Sequence, residues 1–579
     1  MVTTNVEDIY PLSPMQQGML LHTLQDSSGD MYLMQDVYIV DGPLDTNLLI
    51  EAWQHVFAAH PALRTSFQWD GLDQPLQVVH RNVTPPTRLD DWRGQPEEEQ
   101  QQRLDELLSK DRASGFDLTV PPLQRLLVVR LDDERYALAW THHHLLMDGW
   151  SVPLFMNEVM SHYRRLTTGG PGPAPAPPFR DYIAWLDRQD MDAARKFWSD
   201  SLGDVRRRPL RGLRPVDPQR PTGEPRRRVV DIADTIEDGM RATAARHRVT
   251  PTTVLDAAWA AVLHRHADSA GSEVVVGCVS SGRSAELPDV DRMIGVLINT
   301  LPVAVAVPED AELGEWLREV QSREAAAREY EYSPLAEIKK WVGAPGRQLF
   351  DSIVVHANYD FGVVDDGPLI VRSQNTFDKI SVPLAVTLTP KPVSELQLIW
   401  HEDRFEETTV DALMAGLLAA LDEIGTAERT TSILSAVAAT VPAATAEVPA
   451  PSASAGAVSS AKSPLTPVES AIAAAWCDVL GIADVDVTAN FFDLGGDSFS
   501  AVRAVSRIEG ATVALLALNP TVRDLAIAID SLEPEDQELD AEIEELERRL
   551  AATSDPAAPS TAPVIASPSR PEDDACSTS

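Results

Sequence analysis

The sequence predicts a mixed α/β protein with two large lobes and a smaller helical unit. Apolar patterns typical of helices and of short strands alternate through residues 1–430. A segment rich in Ala, Pro, Ser and Thr then occupies 431–464 and indicates a flexible linker. Because 579 residues are enough for several hydrophobic cores, we expect separate units on the two sides of this linker.

The first predicted lobe, residues 1–170, combines helices with strands. Helical patterns fall at 15–24 and 48–59, and strand patterns at 76–80 and 123–131. The turn of a hairpin falls at 132–135. A further strand covers 136–141, and a helix is expected from Ser151 to Arg165, with Ser151 available as its N-cap. A Gly/Pro stretch at 169–178 ends the lobe.

The second predicted lobe, residues 171–430, contains a helical pattern near 252–265 and a buried-strand pattern at 273–279. Beyond the linker, Thr466-Pro467-Val468-Glu469 has the pattern of a capping box with proline at the first helical position. The sequence therefore predicts a compact helical unit at 465–531.

The tail at 532–579 is rich in Pro, Ala and Ser towards its end. Before that end, Leu539, Ile543, Leu546 and Leu550 recur at heptad-like spacing among glutamates. This pattern predicts a short acidic amphipathic helix that either docks a partner or is a solvated tail helix.

Charge and composition argue against several classes of protein. Lys and Arg total 49 against 88 Asp and Glu, so the net charge of −39 argues against nucleic acid or an anionic membrane as the main partner. Neither a secretion signal nor an apolar window of membrane-spanning length is found, which favours a soluble cytoplasmic protein. The three cysteines are far apart and support neither a disulfide framework nor a thiolate zinc site.

The run YALAWTHHHLLMDGWS at 136–151 is the first candidate for chemistry. Histidine is the side chain most easily set up as a base near neutral pH. If the strand extends through the run, alternation places His142 and His144 on one face and His143 on the other. A structural cluster and a catalytic base both fit these residues, whereas a metal site is less attractive because adjacent histidines diverge.

The second candidate is the run NFFDLGGDSFS at 490–500, in which a Gly-Gly loop presents Ser498 at an expected helix start. Ser498 as a simple N-cap is one interpretation. The glycines also leave the backbone open to the approach of another molecule, so Ser498 as the carrier of a covalent group is the other.

Together the two runs resemble one family. HHLLMDG at 143–149 resembles the HHxxxDG motif of nonribosomal peptide synthetase condensation domains, and LGGDS at 494–498 resembles the GGxS motif of peptidyl carrier proteins. Further segments that resemble condensation-domain motifs are YPLSPMQQGML at 10–20, HPALRTSF at 60–67, FRDYIAW at 179–185 and IGVLINTLP at 294–302.

The resemblance implies two chloramphenicol-acetyltransferase-like lobes in a V shape, an active site between them, and a small helical-bundle carrier domain. It also implies that the domain joins an upstream carrier-bound acyl or peptidyl thioester to an aminoacyl thioester on its own carrier. His144 matches the catalytic position, and His143 the structural one. Asp148 matches a structural aspartate, for which Arg283 is our candidate partner. Gly149 permits close approach of the substrate, and its amide is expected to polarise the thioester carbonyl.

The resemblance also implies that Ser498 carries 4'-phosphopantetheine, attached by a phosphopantetheinyl transferase. The chain has no room for an adenylation domain, so a trans-acting adenylation enzyme is expected to load the amino acid. The acidic helix of the tail is a candidate docking segment for a downstream synthetase or thioesterase. Ester formation, combined epimerisation and condensation, and a non-catalytic recruitment platform remain alternatives. The segment around 508–512 is shorter than expected for a carrier and predicts an abbreviated second helix or following loop.

Overall fold

The structure is a computed structural model. It describes residues 5–531 except for 27–28, 71, 73, 171, 173, 204, 206–207, 215–224, 268–270, 345–346, 358–363, 367–368, 380, 390–393, 442–464, 481, 492–493, 495–497, 506, 509, 512–514 and 517–518. The acidic helix predicted in the tail at 532–579 lies outside the described residues.

Strands and helices alternate along the chain, as the apolar patterns predict. The strands are β1 (Val6–Pro11), β2 (Leu33–Asp41), β3 (Thr65–Gln68), β4 (Leu76–His80), β5 (Thr87–Asp91), β6 (Gln124–Asp132), β7 (Arg135–His143), β8 (Pro225–Asp231), β9 (Glu273–Ser280), β10 (Asn299–Ala306), β11 (Ser352–His356), β12 (Val364–Asp366), β13 (Leu369–Asp378), β14 (Leu384–Thr389) and β15 (Glu395–His401).

Side-chain N-caps precede some of the helices, namely Ser13, Asp45, Asp190, Thr250 and Glu312. The helices are α1 (Pro14–Gln25), α2 (Thr46–Ala59), α3 (Glu97–Ala113), α4 (Ser151–Thr168), α5 (Arg180–Leu186), α6 (Met191–Leu202), α7 (Asp234–His247), α8 (Pro251–His266), α9 (Leu313–Arg328), α10 (Leu335–Trp341), α11 (Glu407–Ile424), α12 (Thr430–Ala438), α13 (Pro467–Leu480), α14 (Ser498–Val505) and α15 (Val522–Asp530).

The first large sheet has the order β12-β13-β2-β7-β6-β5. The predicted hairpin is confirmed, because β6 and β7 pair antiparallel across the turn. One face of the sheet packs Tyr38, Leu138 and Trp140 against α2 and α4, where Trp140 meets Phe155 at a ring distance of 4.6 Å. The alternate residues Val37 and Ala139 face the other way, towards α3. A small sheet, β1-β4-β3, accompanies it.

The second large sheet has the order β10-β9-β11-β14-β15-β8. Successive side chains of its strands again point to opposite faces of the sheet. Val386 and Leu398 belong to a core shared with helices, among them the largely buried α8, whereas Ala385 and Ile399 form a separate apolar face. That face lines the cavity described below.

The predicted division of the lobes at 170/171 is wrong for one segment. Strands β12 and β13, which belong to the second half of the sequence, join the first sheet, where β13 pairs antiparallel with β2 along residues 370–378. Val371 of β13 lies opposite Val40 and both are buried in the core of the first sheet. The physical reason is that β13 pairs with the otherwise open edge of β2, while Val371 and Val40 are buried together.

The predicted flexible linker at 431–464 is also wrong at its start. Residues 430–438 form α12, which buries Ile433, Leu434 and Val437 against the core of the second lobe. Every third or fourth position of this Ala/Ser/Thr-rich segment is aliphatic, so one helix face is apolar although the composition is not. Residues 442–464 lie outside the described residues.

The carrier unit begins as predicted. The Thr466 hydroxyl accepts the Glu469 N–H at 3.1 Å and the Glu469 carboxylate accepts the Thr466 N–H at 2.8 Å, which is the reciprocal capping box at the start of α13. Trp476 of α13 packs edge-on against Phe491 at 4.8 Å. The helix that follows the Gly-Gly loop, α14, has only 8 residues. Over the part of the chain that is described, no helix is both long and apolar enough to span a membrane.

Candidate functional site

The histidine run lies at the end of β7, in the middle of the first sheet. His142 pairs with Met34 of β2 on one side and with Gln124 of β6 on the other. The strand ends at His143, and the His144 N–H donates to the Tyr32 carbonyl at 2.8 Å. His142 and His144 line an interior cavity and His143 does not, so the predicted alternation of faces is confirmed.

His143 is fully enclosed and fixes the loop that follows it. Its Nδ1 accepts the Leu145 N–H at 3.1 Å, which assigns the ring proton to Nε2, 3.5 Å from the Thr23 hydroxyl. Burial, together with the neighbouring His144, lowers the pKa of His143 to about 3. The ring is therefore neutral at physiological pH.

His144 has the opposite environment, with its ring at the cavity wall. Its Nδ1 has no hydrogen-bond partner among the described residues. The Tyr32 ring stands edge-on to it at 6.3 Å. Burial lowers the pKa of His144 below 6.5, and the carboxylates of Asp148 and Asp378 oppose this shift. A neutral imidazole at the wall of a cavity is a competent proton acceptor.

Asp148 is saturated by donors other than a histidine. Its Oδ1 accepts the Ser151 N–H and hydroxyl, both at 2.9 Å, and its Oδ2 accepts the Leu297 N–H at 3.0 Å and the Ile298 N–H at 3.3 Å. Arg283 completes the set with Nη1 at 3.0 Å from Oδ2. Within the described part of the chain, Asp148 makes no hydrogen bond to His144.

Arg283 ties this loop to a second segment of the chain. Besides Asp148, it donates to the Ser151 hydroxyl at 3.2 Å and to the Met293 carbonyl at 3.3 Å. The Gly295 carbonyl accepts the Asp148 N–H at 3.0 Å and the Ser151 hydroxyl at 3.0 Å. The segments at 143–149 and 294–302, singled out separately in the sequence, therefore lie side by side.

Gly295 also brings the segment at 179–185 into this arrangement. A Cβ on Gly295 would lie 2.1 Å from the Phe179 ring, so only glycine allows this contact. The Tyr182 hydroxyl donates to the Leu297 carbonyl at 3.1 Å.

The sequence did not identify Ser151 and Tyr32 as residues of this site. Ser151 is the first residue of α4 and Trp150 is the N-cap position, so the predicted cap is wrong. The Ser151 hydroxyl is used by Asp148 and Gly295 instead. Tyr32 has a positive φ of 59°, which no local pattern indicates.

The cavity has a volume of about 1210 Å³ and both halves of the sequence line it. His144, Gly149 and Trp150 come from the loop after β7. The apolar face of the second sheet supplies aliphatic side chains, including Ile353, Val355, Ala385 and Ile399. A mostly apolar cavity of this size with a few polar groups is typical of a site for a small organic substrate.

His142 shares the cavity wall but is held by its neighbours. Its ring stacks on Trp140 at 4.3 Å, and its Nδ1 lies 3.9 Å from the Asp36 carboxylate. Burial keeps the pKa of His142 well below its usual value and raises the pKa of Asp36 to about 7. In the described part of the chain, no cluster of three or more His, Cys, Asp or Glu side chains is arranged to hold a metal ion.

Ser498 lies where the sequence places it, as the first residue of α14. The free N–H groups of a helix's first turn favour a phosphate group covalently attached nearby. The position therefore fits a phosphate-linked group. The glycines that precede it, at 495–496, lie outside the described residues.

The fold and the loop define a two-lobed α/β protein with a neutral imidazole at an interior cavity. The family model described as "Condensation domain" matches residues 6–440, and the one described as "Phosphopantetheine attachment site" matches residues 470–529. The chain belongs to the nonribosomal peptide synthetase family, as a condensation domain followed by a carrier domain. A carrier domain of this kind is the site at which 4'-phosphopantetheine is attached covalently to a serine.

Two curated relatives illustrate the similarity. The chain is 36% identical over 426 residues to a linear gramicidin synthase protein of Brevibacillus parabrevis, covering 72% of this chain and 8% of that protein. It is 33% identical over 458 residues to chondramide synthase cmdD of Chondromyces crocatus, covering 70% of this chain and 11% of that protein. The chain thus spans about a tenth of the length of these relatives.

Solved structures agree with the fold. The first condensation domain of the calcium-dependent antibiotic synthetase, in complex with a substrate analogue, superposes with a TM-score of 0.60 at 20% identity, covering 73% of this chain and 98% of that one. The four-domain nonribosomal peptide synthetase holo-AB3403 gives a TM-score of 0.61 at 18% identity, covering 74% and 34%.

Proposed function

We propose that this chain forms an amide bond between two carrier-bound thioesters, as an acyltransferase-type enzyme. An upstream carrier protein presents the acyl or peptidyl donor, and the carrier domain of this chain presents the aminoacyl acceptor. The amine attacks the donor carbonyl, the C–N bond forms, the donor thiolate leaves, and the amine gives up a proton. The observation that supports this proposal best is the neutral, partly exposed imidazole of His144 at the cavity wall.

We assign His144 the role of accepting or orienting the amine proton, since a positioned base contributes about 10²- to 10⁴-fold in rate. Gly149 follows in the same loop, where its N–H is available to polarise the donor carbonyl. His143, Asp148 and Arg283 position the loop, because their hydrogen bonds are used within the protein.

We assign Ser498 as the attachment point of 4'-phosphopantetheine, on the LGGDS motif and its place at the start of α14. When bound, this group supplies the thiol that holds the aminoacyl thioester. A phosphopantetheinyl transferase must attach it, and an adenylation enzyme acting in trans is the proposed source of the amino acid.

Replacement of the imidazole tests the catalytic assignment. The His144→Ala variant, supplied with two loaded carriers, is expected to form product at least about 100-fold more slowly in single turnover. The His55→Ala variant is the matched control, because His55 is an exposed histidine on α2. Unchanged turnover of the His144 variant, with the fold intact by circular dichroism, would refute the role.

Intact-protein mass spectrometry tests the carrier assignment separately. After incubation with a phosphopantetheinyl transferase and coenzyme A, the chain is expected to gain the mass of one phosphopantetheine, and the Ser498→Ala variant none. Candidate adenylation enzymes then reveal the acceptor amino acid by a second mass increase. A modification that persists in the Ser498→Ala variant would place the attachment elsewhere.

A further inference from the structure

Lys339 is a charged residue of the cavity that the proposed reaction leaves unused. It lies on α10, and Leu335, Ala336, Glu337 and Lys339 of this helix line the cavity. Residues four apart on a helix share a face, so the Lys339 side chain lies over the same wall as Leu335. The side chain is half-buried.

The Lys339 ammonium has no counter-ion among the described residues. The two arginines that line the cavity are paired, Arg227 with Asp378 at 2.9 Å and Arg372 with Asp41. On α10 itself, Glu337 is taken by Lys340 at 2.9 Å. Long basic side chains are rarely enclosed without a partner, and this one occurs in a chain of net charge −39.

The positive charge of Lys339 affects His22, another residue of the cavity wall. Burial lowers the pKa of Lys339, and its positive charge adds to the burial that lowers the pKa of His22 to about 4. The His22 ring meets the Tyr32 hydroxyl at 3.0 Å, and the Tyr32 ring stands 6.3 Å from that of His144. Lys339, His22, Tyr32 and His144 all line this one cavity.

We propose, on the basis of the proposed function, that Lys339 binds an anionic oxygen group of the thioester substrate. The group is either a carboxylate of the carried acyl or aminoacyl residue or the phosphodiester of the arm that carries it. Either one would supply the counter-ion that the protein itself does not provide. A charge-assisted hydrogen bond in a half-enclosed site corresponds to about a 10- to 100-fold preference for the anion over its neutral isostere.

Two pairs of ligands, each with an anionic and a neutral member, distinguish the two sources without requiring turnover. The first pair is the stable amide analogues of glutamyl and glutaminyl N-acetylcysteamine thioesters, which differ in one carboxylate. The second is 4'-phosphopantetheine and dephosphorylated pantetheine. Binding to the full chain, its Ser498 unmodified, is measured by quenching of tryptophan fluorescence, since Trp69 and Trp150 line the cavity.

The full chain is expected to bind the anionic member of one pair at least about tenfold more tightly than the neutral member. The Lys339→Met variant should lose that preference. Lys340→Met, which changes the adjacent lysine on the same helix, should retain it. Preference in the first pair assigns the carboxylate as the ligand, and preference in the second assigns the phosphate.

Equal binding within both pairs, or a preference that survives in the Lys339→Met variant, would overturn the proposal. The His144→Ala variant is measured in parallel and is expected to keep the preference. If the preference is present but the full chain with an intact His144 forms no product from loaded carriers, the proposed reaction fails while the anion site stands.

Discussion

Arg283 forms a bidentate ion pair with the buried carboxylate of Asp148, with Nη1 at 3.0 Å from Oδ2 and Nη2 at 3.1 Å from Oδ1. The Arg283 side chain is 9% exposed and that of Asp148 is fully buried. The pair joins the loop after β7 to the chain segment that follows β9. Asp148 therefore does not orient His144 as the acid of a catalytic triad would.

Removal of the arginine should destabilise the whole protein. The Arg283→Ala variant is expected to lose about 3–5 kcal/mol of unfolding free energy, because the Asp148 charge would stay buried without its counter-ion. Urea unfolding followed by tryptophan fluorescence measures the loss. Arg180→Ala is the control, since Arg180 pairs with Asp8 at 2.9 Å but is 65% exposed, and we expect a loss of under about 1 kcal/mol. Equal losses would contradict a structural role for the buried pair.

The protonation of His144 can be measured directly. Because burial lowers its pKa below 6.5, the ring should be neutral at pH 7 and gain its proton only at lower pH. Titration of the ¹³Cε1 resonance by NMR, assigned with the His144→Ala variant, checks this. The Asp378→Asn variant should lower the pKa further, because it removes one of the negative charges that raise it. A midpoint above 6.5 would contradict the assignment of a neutral base.

Glu324 should make the protein less stable as the pH rises. Burial and the nearby charge of Asp256 raise its pKa above 4.5, so above that pH the folded protein keeps a proton that the unfolded chain releases. The unfolding free energy then falls with increasing pH, by at most about 1.4 kcal/mol per unit. Urea unfolding between pH 6 and pH 9 should give a flatter profile for Glu324→Gln. Glu319→Gln, at an exposed position of the same helix α9, should keep the wild-type slope.

Gly282 should tolerate no side chain. Its φ is +64°, and a Cβ would lie 1.7 Å from the Leu297 carbonyl oxygen. Gly343 has a similar φ of +68° with nothing within 4 Å, so Gly343→Ala isolates the backbone cost, about 1 kcal/mol. Thermal unfolding should show a much larger loss for Gly282→Ala. A similar loss of stability in both variants would mean that the backbone near Leu297 moves enough to accommodate a Cβ at Gly282.

Local patterns predicted the parts of the site that neighbours in sequence determine. Alternation along β7 correctly separated His142 and His144 from His143, and the capping box at Thr466 marked the start of the carrier. The strands β12 and β13 were assigned to the wrong lobe because their partner β2 lies about 330 residues away. The local preference of serine for helix starts predicts a cap at Ser151, whereas its bonds to Asp148 and Gly295 depend on the tertiary fold.

Because β12 and β13 belong to the first sheet, this sheet can be completed only late in synthesis. The edge of β2 that they cover is made early, but its partner emerges from the ribosome only after residue 378. Until then the nascent chain holds an open strand edge, whose unpaired N–H and C=O groups invite pairing with other chains. The first lobe can therefore finish folding only when most of the second has been translated, and chaperone binding in this interval should centre on residues 33–41.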